Sequence, residues 1–176
     1  APAGTNKTVT IAEDASYTYS ASDFGFTDPN DPIANSFQSV IITTLPEASK
    51  GVLTLNGSPV TAGDVIAVAD IAGLVYAPVT NANGSPQASF TFQVRDDGGT
   101  LNSGINTDQT PNTFTINVTP VNDVPVDPND TNTVTEDTPL TVAANAGLLV
   151  GATDPENNTL TITGYTIAGI DGTQGV

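Results

Sequence analysis

Residues 89–96, Ser-Phe-Thr-Phe-Gln-Val-Arg-Asp, place Phe90, Phe92 and Val94 at every second position. Successive side chains of a strand point to opposite faces, so these three share one face and the residues between them share the other. Residues 112–121, Asn-Thr-Phe-Thr-Ile-Asn-Val-Thr-Pro-Val, repeat the pattern with Phe114, Ile116 and Val118. The same period of two, rich in Thr, Val and Ile, recurs at 7–12, 16–21, 37–46, 51–57 and 74–79, with Gly, Pro, Asn and Asp between the segments. Helical periodicity is nearly absent, and a short turn over 68–73 (Val-Ala-Asp-Ile-Ala-Gly) is the one exception expected. Seven short strands in the first two thirds of the chain predict an all-β sandwich. Its core candidates are Val9, Ile11, Val40, Ile42, Leu53, Leu55, Leu74, Tyr76, Phe90, Phe92, Phe114 and Ile116.

The chain then begins again. Aligning Ala1–Asp14 with Val124–Asp137 pairs Pro2 with Pro125 and Glu13 with Glu136, in both cases 123 positions apart (125 − 2 and 136 − 13). Farther on, Thr27-Asp28-Pro29 matches Thr153-Asp154-Pro155 at an offset of 126 (154 − 28). Two anchors at nearly constant offset define a tandem repeat. The division expected is 1–123 for one full repeat and 124–176 for the N-terminal part of a second. In that second copy, strands are expected over 132–137, 139–144 and 159–170. A partial sandwich covers only one side of its core, so Leu148, Leu149, Ile162 and Ile167 are expected to be poorly covered, in a segment taken from a longer array.

Composition narrows the chemistry. The chain has 19 acidic residues against Lys7, Lys50 and Arg95, a formal charge of −16. Such a surface repels phosphate backbones and anionic lipid, which argues against nucleic acid and membrane surfaces as partners and favours cations. There is no Cys and no His, which removes disulfides, Cys/His zinc sites and histidine-dependent nucleophilic catalysis. No apolar run is long enough to span a bilayer, and the first residues do not form a secretion signal.

The acidic residues are unevenly placed. Thirteen of the 19 form the groups Glu13/Asp14, Asp28/Asp31, Asp96/Asp97, Asp123, Asp127/Asp130, Glu136/Asp137 and Asp154/Glu156, all at expected strand ends or turns. Asp is a common turn former, and that explanation suffices for Asp64, Asp70, Asp108 and Asp171. It does not explain why the groups recur at matching places in both repeats. Carboxylates within about 4 Å repel by roughly 1 kcal/mol or more per pair near a surface unless a cation neutralises them. An all-oxygen, carboxylate-rich donor set with Asn and backbone carbonyls suits calcium better than magnesium. Asp28–Pro32 lacks the spacing and central Gly of an EF-hand loop.

Four motifs in this order, Thr10-Ile11-Ala12-Glu13-Asp14, Thr27-Asp28-Pro29-Asn30-Asp31, Phe92-Gln93-Val94-Arg95-Asp96-Asp97-Gly98-Gly99 and Val121-Asn122-Asp123-Val124-Pro125, resemble the bacterial cadherin-like repeats of giant surface adhesins. The resemblance covers the whole chain, fully over 1–123 and partially over 124–176. It implies a seven-stranded Greek-key sandwich of cadherin or Ig-like type, with Ca2+ at domain junctions. Carried over by position, Glu13 is implied as the first-strand ligand and Asn122 and Asp123 as linker ligands, with Asp154 and Glu156 supplied by the second repeat. Asp28 and Asp31, with Asp96 or Asp97, would face the linker of a preceding repeat. The sequence departs from the pattern at 80–89, where the junction acid is missing and carbonyls near Asn81 or Asn83 would have to substitute. Val124 also stands where animal cadherins carry Asn.

The function expected is a calcium-rigidified structural repeat of a long extracellular stalk at the bacterial cell surface, not an enzyme. Its partners would be neighbouring repeats of the same protein, with cell-surface or matrix ligands engaged through other domains. The alternatives are a carbohydrate- or protein-binding module and a filament subunit completed by strands from another chain. Ten aromatic residues with no Trp disfavour a sugar site. Asp96 and Asp97 are adjacent and point apart when extended, which disfavours a glycosidase pair. Lys7 and Asn117, in the first and last strands, have the residue types of an isopeptide pair, with an exposed lysine the preferred reading.

Overall fold

The structure is a computed structural model that describes residues 1–28, 35–101, 104–133, 135–143, 146–167 and 170–172, with 165–167 and 170–172 described by backbone alone. The chain divides into two compact units, Ala1–Val121 and Asn122–Val176.

Unit 1 is all β and built of two sheets. One has five strands: β1 (Lys7–Ala12), β3 (Phe37–Ile42), β6 (Val65–Ala67), β8 (Gly84–Asp96) and β9 (Asn112–Thr119), in the order β1-β9-β8-β3-β6. The other holds β2 (Tyr17–Thr18), β4 (Gly51–Leu55), β5 (Ser58–Pro59) and β7 (Leu74–Pro78), in the order β2-β7-β4-β5. Every pairing in these sheets is antiparallel except β1 with β9, which run parallel from Lys7 opposite Phe114 to Ala12 opposite Thr119. This pairing brings the first and last strands of the unit to the same end, and it determines where Glu13 lies.

The alternation read from sequence is the burial pattern observed. Along β8, Ala88, Phe90, Phe92 and Val94 are buried and the residues between them are more exposed, and β9 buries Phe114, Ile116 and Val118 in the same way. Phe90 and Phe114 are directly opposed, and their rings stack at 5.4 Å between centroids. Tyr19 closes over this pair, its ring edge-on at 4.9 Å from Phe114. From the second sheet, Leu53, Leu74 and Tyr76 join the same core. Buried aromatic pairs in such geometries contribute about 0.5–1.5 kcal/mol beyond the area they remove from water. Nine of the twelve expected core residues are buried, and Val9, Ile11 and Leu55 pack against the core partly buried. Tyr19, Phe24, Ile66 and Ile71 were not anticipated.

Among the described residues, two short 3-10 turns fill corners of unit 1. The first, Val68–Gly73, is the expected turn, and it drops Ile71 into the core. The second, Ala21–Phe24, follows Ser20 and buries Phe24. Gly51 opens β4 at φ 154°, with a Tyr76 ring atom and the Ala77 carbonyl where a Cβ would sit, so only glycine fits. That approach lets the Tyr76 hydroxyl donate to the Lys50 carbonyl at 2.8 Å.

Unit 2 repeats the opening of unit 1. In unit 1, Ala3 and Thr27 exchange both backbone hydrogen bonds, at 2.8 and 2.9 Å. In unit 2, Val126 and Thr153 do the same, both at 2.8 Å. The two pairs are related by the offsets found in the sequence: 126 − 3 = 123 and 153 − 27 = 126. Past this bridge the expected strands are not observed. Among the described residues of 132–137 and 139–144 there is no strand, and of 159–170 only β10 (Tyr165–Ile167) and the first residue of β11 (Ile170–Gly172), which pair antiparallel, are extended in a ladder. Alternation states which face a strand would bury, but a strand forms only against a partner, and these segments have none among the described residues. Leu148 and Leu149, each 40% exposed, line an open hollow of about 460 Å³ with Pro125, Pro128 and Ile162. The poor cover expected for Leu148 and Leu149 is therefore present; the side chain of Ile167 lies outside the described residues. Among the described residues no helix is long and apolar enough to cross a membrane.

Candidate metal centre

The parallel β1–β9 pair sets the geometry at one end of unit 1. Where β1 ends, the amide of Glu13 donates to the Thr119 carbonyl at 3.0 Å, extending the ladder by one step. The Glu13 side chain then turns back over the end of β9, and its Oε1 accepts the Val121 N–H at 2.6 Å. Its Oε2 accepts Nδ2 of Asn83 at 3.3 Å, from the loop between β7 and β8. Glu13 is only 3% exposed, and each of its carboxylate oxygens accepts a hydrogen bond, as burial of a carboxylate requires. Beside it, Asp14, Ala15, Ser16, Pro78 and Thr80 line a shallow hollow of about 240 Å³.

The other end of unit 1 carries a second acidic group. β1 is six residues long, about 20 Å at 3.3 Å per residue, so this group is well separated from Glu13. Asp28 and Asp96 are both buried, 8% and 1% exposed. Asn35 lies between their loops: its amide donates to Asp28 Oδ2 at 3.0 Å, and its side chain occupies the space beside Gly98. Gly98 in turn donates to Asp96 Oδ1 at 2.8 Å. The Ala1 nitrogen stands 3.9 Å from Asp28 Oδ1. Asp97 is exposed, and it exchanges hydrogen bonds with Ser36, accepting the Ser36 amide at 2.7 Å and donating its own to the Ser36 carbonyl at 3.0 Å. Asp31 lies outside the described residues.

In unit 2, the linker dipeptide is fastened to the Asp154 turn. The Asp123 N–H donates to Glu156 Oε2 at 2.9 Å, and Asn158 Nδ2 donates to Asn122 Oδ1 at 3.1 Å. Asp154 Oδ1 holds the turn closed by accepting the amides of Glu156 and Asn158, at 3.0 and 2.9 Å. Asn122, Asp123, Asp154 and Glu156, singled out from sequence, are thus gathered in one place. Their donor set of carboxylates and an amide oxygen is the chemistry a hard divalent cation takes.

The acids assigned to turns divide. Asp64 is a turn residue: Oδ2 accepts the Thr61 amide and Oδ1 its hydroxyl, both at 2.8 Å, and these bonds hold its carboxyl below the usual carboxylate range. Asp70 is exposed in the first turn of Val68–Gly73, and the side chain of Asp171 lies outside the described residues. Asp108 does more than make a turn. It is 7% exposed, and Oδ2 accepts the Gly4 amide at 2.8 Å and Asn112 Nδ2 at 2.7 Å, tying the N-terminal segment to β9. Nothing in the sequence connects residues 104 positions apart, so that role could not be read. Asp23 was also missed, although it did leave a signal. Ser20 and Asp23 have the spacing of a capping pair, and Asp23 Oδ2 accepts both the Ser20 amide at 2.8 Å and its hydroxyl at 2.9 Å. Asp23 Oδ1 accepts the Tyr17 hydroxyl at 3.0 Å and lies 3.9 Å from Lys7 Nζ. Lys7 is opposite Phe114 while Asn117 is opposite Thr10, three residues along the parallel pair, so the lysine's neighbour is Asp23 rather than Asn117.

No family model, no curated protein and no solved structure matches the chain.

Proposed function

We propose that this chain is a structural repeat of a long extracellular bacterial adhesin or surface stalk, stiffened by calcium where one repeat passes into the next. The observation that carries this reading is how acidic side chains hold the backbone near the end of the first repeat. Glu13 of unit 1 holds the Val121 amide, and within unit 2 Glu156 holds the Asp123 amide, two residues along the chain. Within unit 2, Asp123, Asp154 and Glu156 gather at one turn, and carboxylates so gathered carry an electrostatic cost that a divalent cation would remove. The ligands proposed are Glu13, Asn122, Asp123, Asp154 and Glu156. Asp28, Asp96 and Asp97, with Asp31, are proposed to serve a preceding repeat in the same way, which is the cadherin-like arrangement, Greek-key connectivity included.

The aromatic residues support this over a carbohydrate-binding module. Tyr19, Tyr76, Phe24, Phe90, Phe92 and Phe114 are committed to the core, and Tyr17, Phe26 and Phe37 pack against it. Sugar recognition needs exposed rings, whereas the first six of these are buried and the other three partly covered.

Pro120 and Pro125 restrict the chain on either side of Val121-Asn122-Asp123, so this stretch loses little entropy on ordering. In chelator, mutual repulsion among the acids should let the units move about it, and calcium should hold them. Small-angle scattering of the full chain in calcium, in chelator, and in chelator with high salt tests the reading. Calcium should lengthen and narrow the distribution of dimensions, with salt a poor substitute. If salt alone reproduces the calcium dimensions, screening suffices and coordination is the wrong explanation.

A further inference from the structure

We propose that Asn83 is a site of spontaneous deamidation, and that the carboxylate so formed adds an acidic ligand beside Glu13. The second half rests on the reading of Glu13 as a calcium ligand; the first half does not.

The chain has two Asn-Gly pairs in unit 1, Asn56-Gly57 and Asn83-Gly84. In such a pair the following amide nitrogen meets no Cβ as it approaches the Asn side chain. The Gly nitrogen, losing its proton, bonds to Asn Cγ, and Nδ2 leaves as ammonia, closing a succinimide. Water then opens the ring at either carbonyl, giving aspartate or isoaspartate. The net change is one water taken up and one ammonia lost, with no redox partner.

A folded chain permits this only where the backbone can move. Asn56 and Gly57 form the tight turn between β4 and β5, with φ of 50° and 82°, inside the Leu55–Ser58 pair. The Asn56 amide donates to the Gly73 carbonyl at 2.9 Å, and its side chain lies against Gly73. That pair is fixed at both ends. Asn83 instead sits exposed in the irregular loop between β7 and β8. The ladder that follows it is interrupted: Gly84 faces Val118, and the register shifts before Ala88 faces Ile116. Asn83 thus stands just outside the ladder, next to the single Gly84–Val118 pair that precedes the register shift.

The product would have a defined place. Asn83 Nδ2 is 3.3 Å from Glu13 Oε2, so deamidation replaces a hydrogen-bond donor by an oxygen anion at that carboxylate. Two carboxylates there repel unless a cation lies between them, and calcium affinity rises with the number of charged ligands.

The test is to hold the full chain in warm, mildly alkaline buffer with chelator and map peptides by mass spectrometry, with a urea-unfolded sample as reference. Asn83 should convert severalfold faster than Asn56 in the folded chain, both should convert when unfolded, and Gly84→Ala should slow the step. Equal rates at the two sites, or no conversion at Asn83 while the unfolded sample reacts, overturns the proposal. Calcium titration of Asn83→Asp against Asn83→Gln then reads the consequence. Severalfold tighter binding by Asn83→Asp supports the added ligand, and equal affinity overturns that half. If conversion proceeds and no variant binds calcium, the metal reading fails and the modification site stands.

Discussion

Glu13 Oε1 accepts the Val121 amide at 2.6 Å across 108 residues of sequence, closing the end of the first repeat onto its own first strand. The bond is possible because β1 and β9 run parallel, so the residue after β1 emerges beside the residues after β9. A hydrogen bond to a charged acceptor at a 3%-exposed site contributes more than an exposed one.

Glu13→Ala should therefore lower the stability of unit 1 by about 1–3 kcal/mol in urea unfolding, with Glu13→Gln costing less because an acceptor oxygen remains. Equal midpoints for wild type and Glu13→Ala would show that the carboxylate does not hold the strand ends together.

Tyr19 presents the opposite case. Its ring is central to the core, but its hydroxyl is buried with no hydrogen-bond partner among the described residues, and burial pushes its ionisation far up. Tyr19→Phe keeps the ring contacts with Phe90 and Phe114 and removes the stranded group. The variant should be at least as stable as wild type, by up to about 1–3 kcal/mol. A loss of stability in chemical denaturation would mean that the hydroxyl is satisfied.

How much of this was legible depends on the range of each interaction. Phe90, Phe92, Phe114 and Ile116 announced their faces because alternation is local and the core rewards it. The turn at 68–73 was legible for the same reason. The parallel β1–β9 pair was not, since pairing between the first and last strands leaves no local trace. The gathering of Asn122, Asp123, Asp154 and Glu156 could be anticipated only through the resemblance to cadherin-like repeats, which implies that linker residues meet the next repeat's Asp-Pro turn. Asp108 has no such copy, and its bonds to Gly4 and Asn112 place it in the structure alone. The strands expected at 132–137 and 139–144 failed for a related reason: alternation describes a face and leaves the partner unspecified.

Alkaline pH should loosen unit 1 in a defined window. Tyr17 is pushed from 10.0 up to about 12, first by burial and then by its hydrogen bond to Asp23 and that residue's charge. The unfolded state therefore releases the proton first, so the stability is fully present below pH 10 and is lost as pH rises toward about 12. Burial raises Tyr76 as well, and Tyr19 lies higher still, so the loss continues beyond that point. Denaturant midpoints measured across this range should fall for wild type, and less steeply for Tyr17→Phe. A flat profile would show that the tyrosines ionise equally in both states.

Calcium titration of the full chain by calorimetry tests the central claim most directly, with Asp123→Ala, Glu13→Gln and Asp70→Ala alongside. Extracellular calcium modules bind at about 10⁻⁴ to 10⁻³ M, and a hundredfold excess over the dissociation constant would stabilise by roughly 2.7 kcal/mol per site. Wild type and Asp70→Ala should bind alike, while Asp123→Ala and Glu13→Gln lose one class of site. Equal weakening by all three substitutions, or no heat of binding in the wild type, would contradict a coordinated ion and leave the carboxylates as diffuse negative charge.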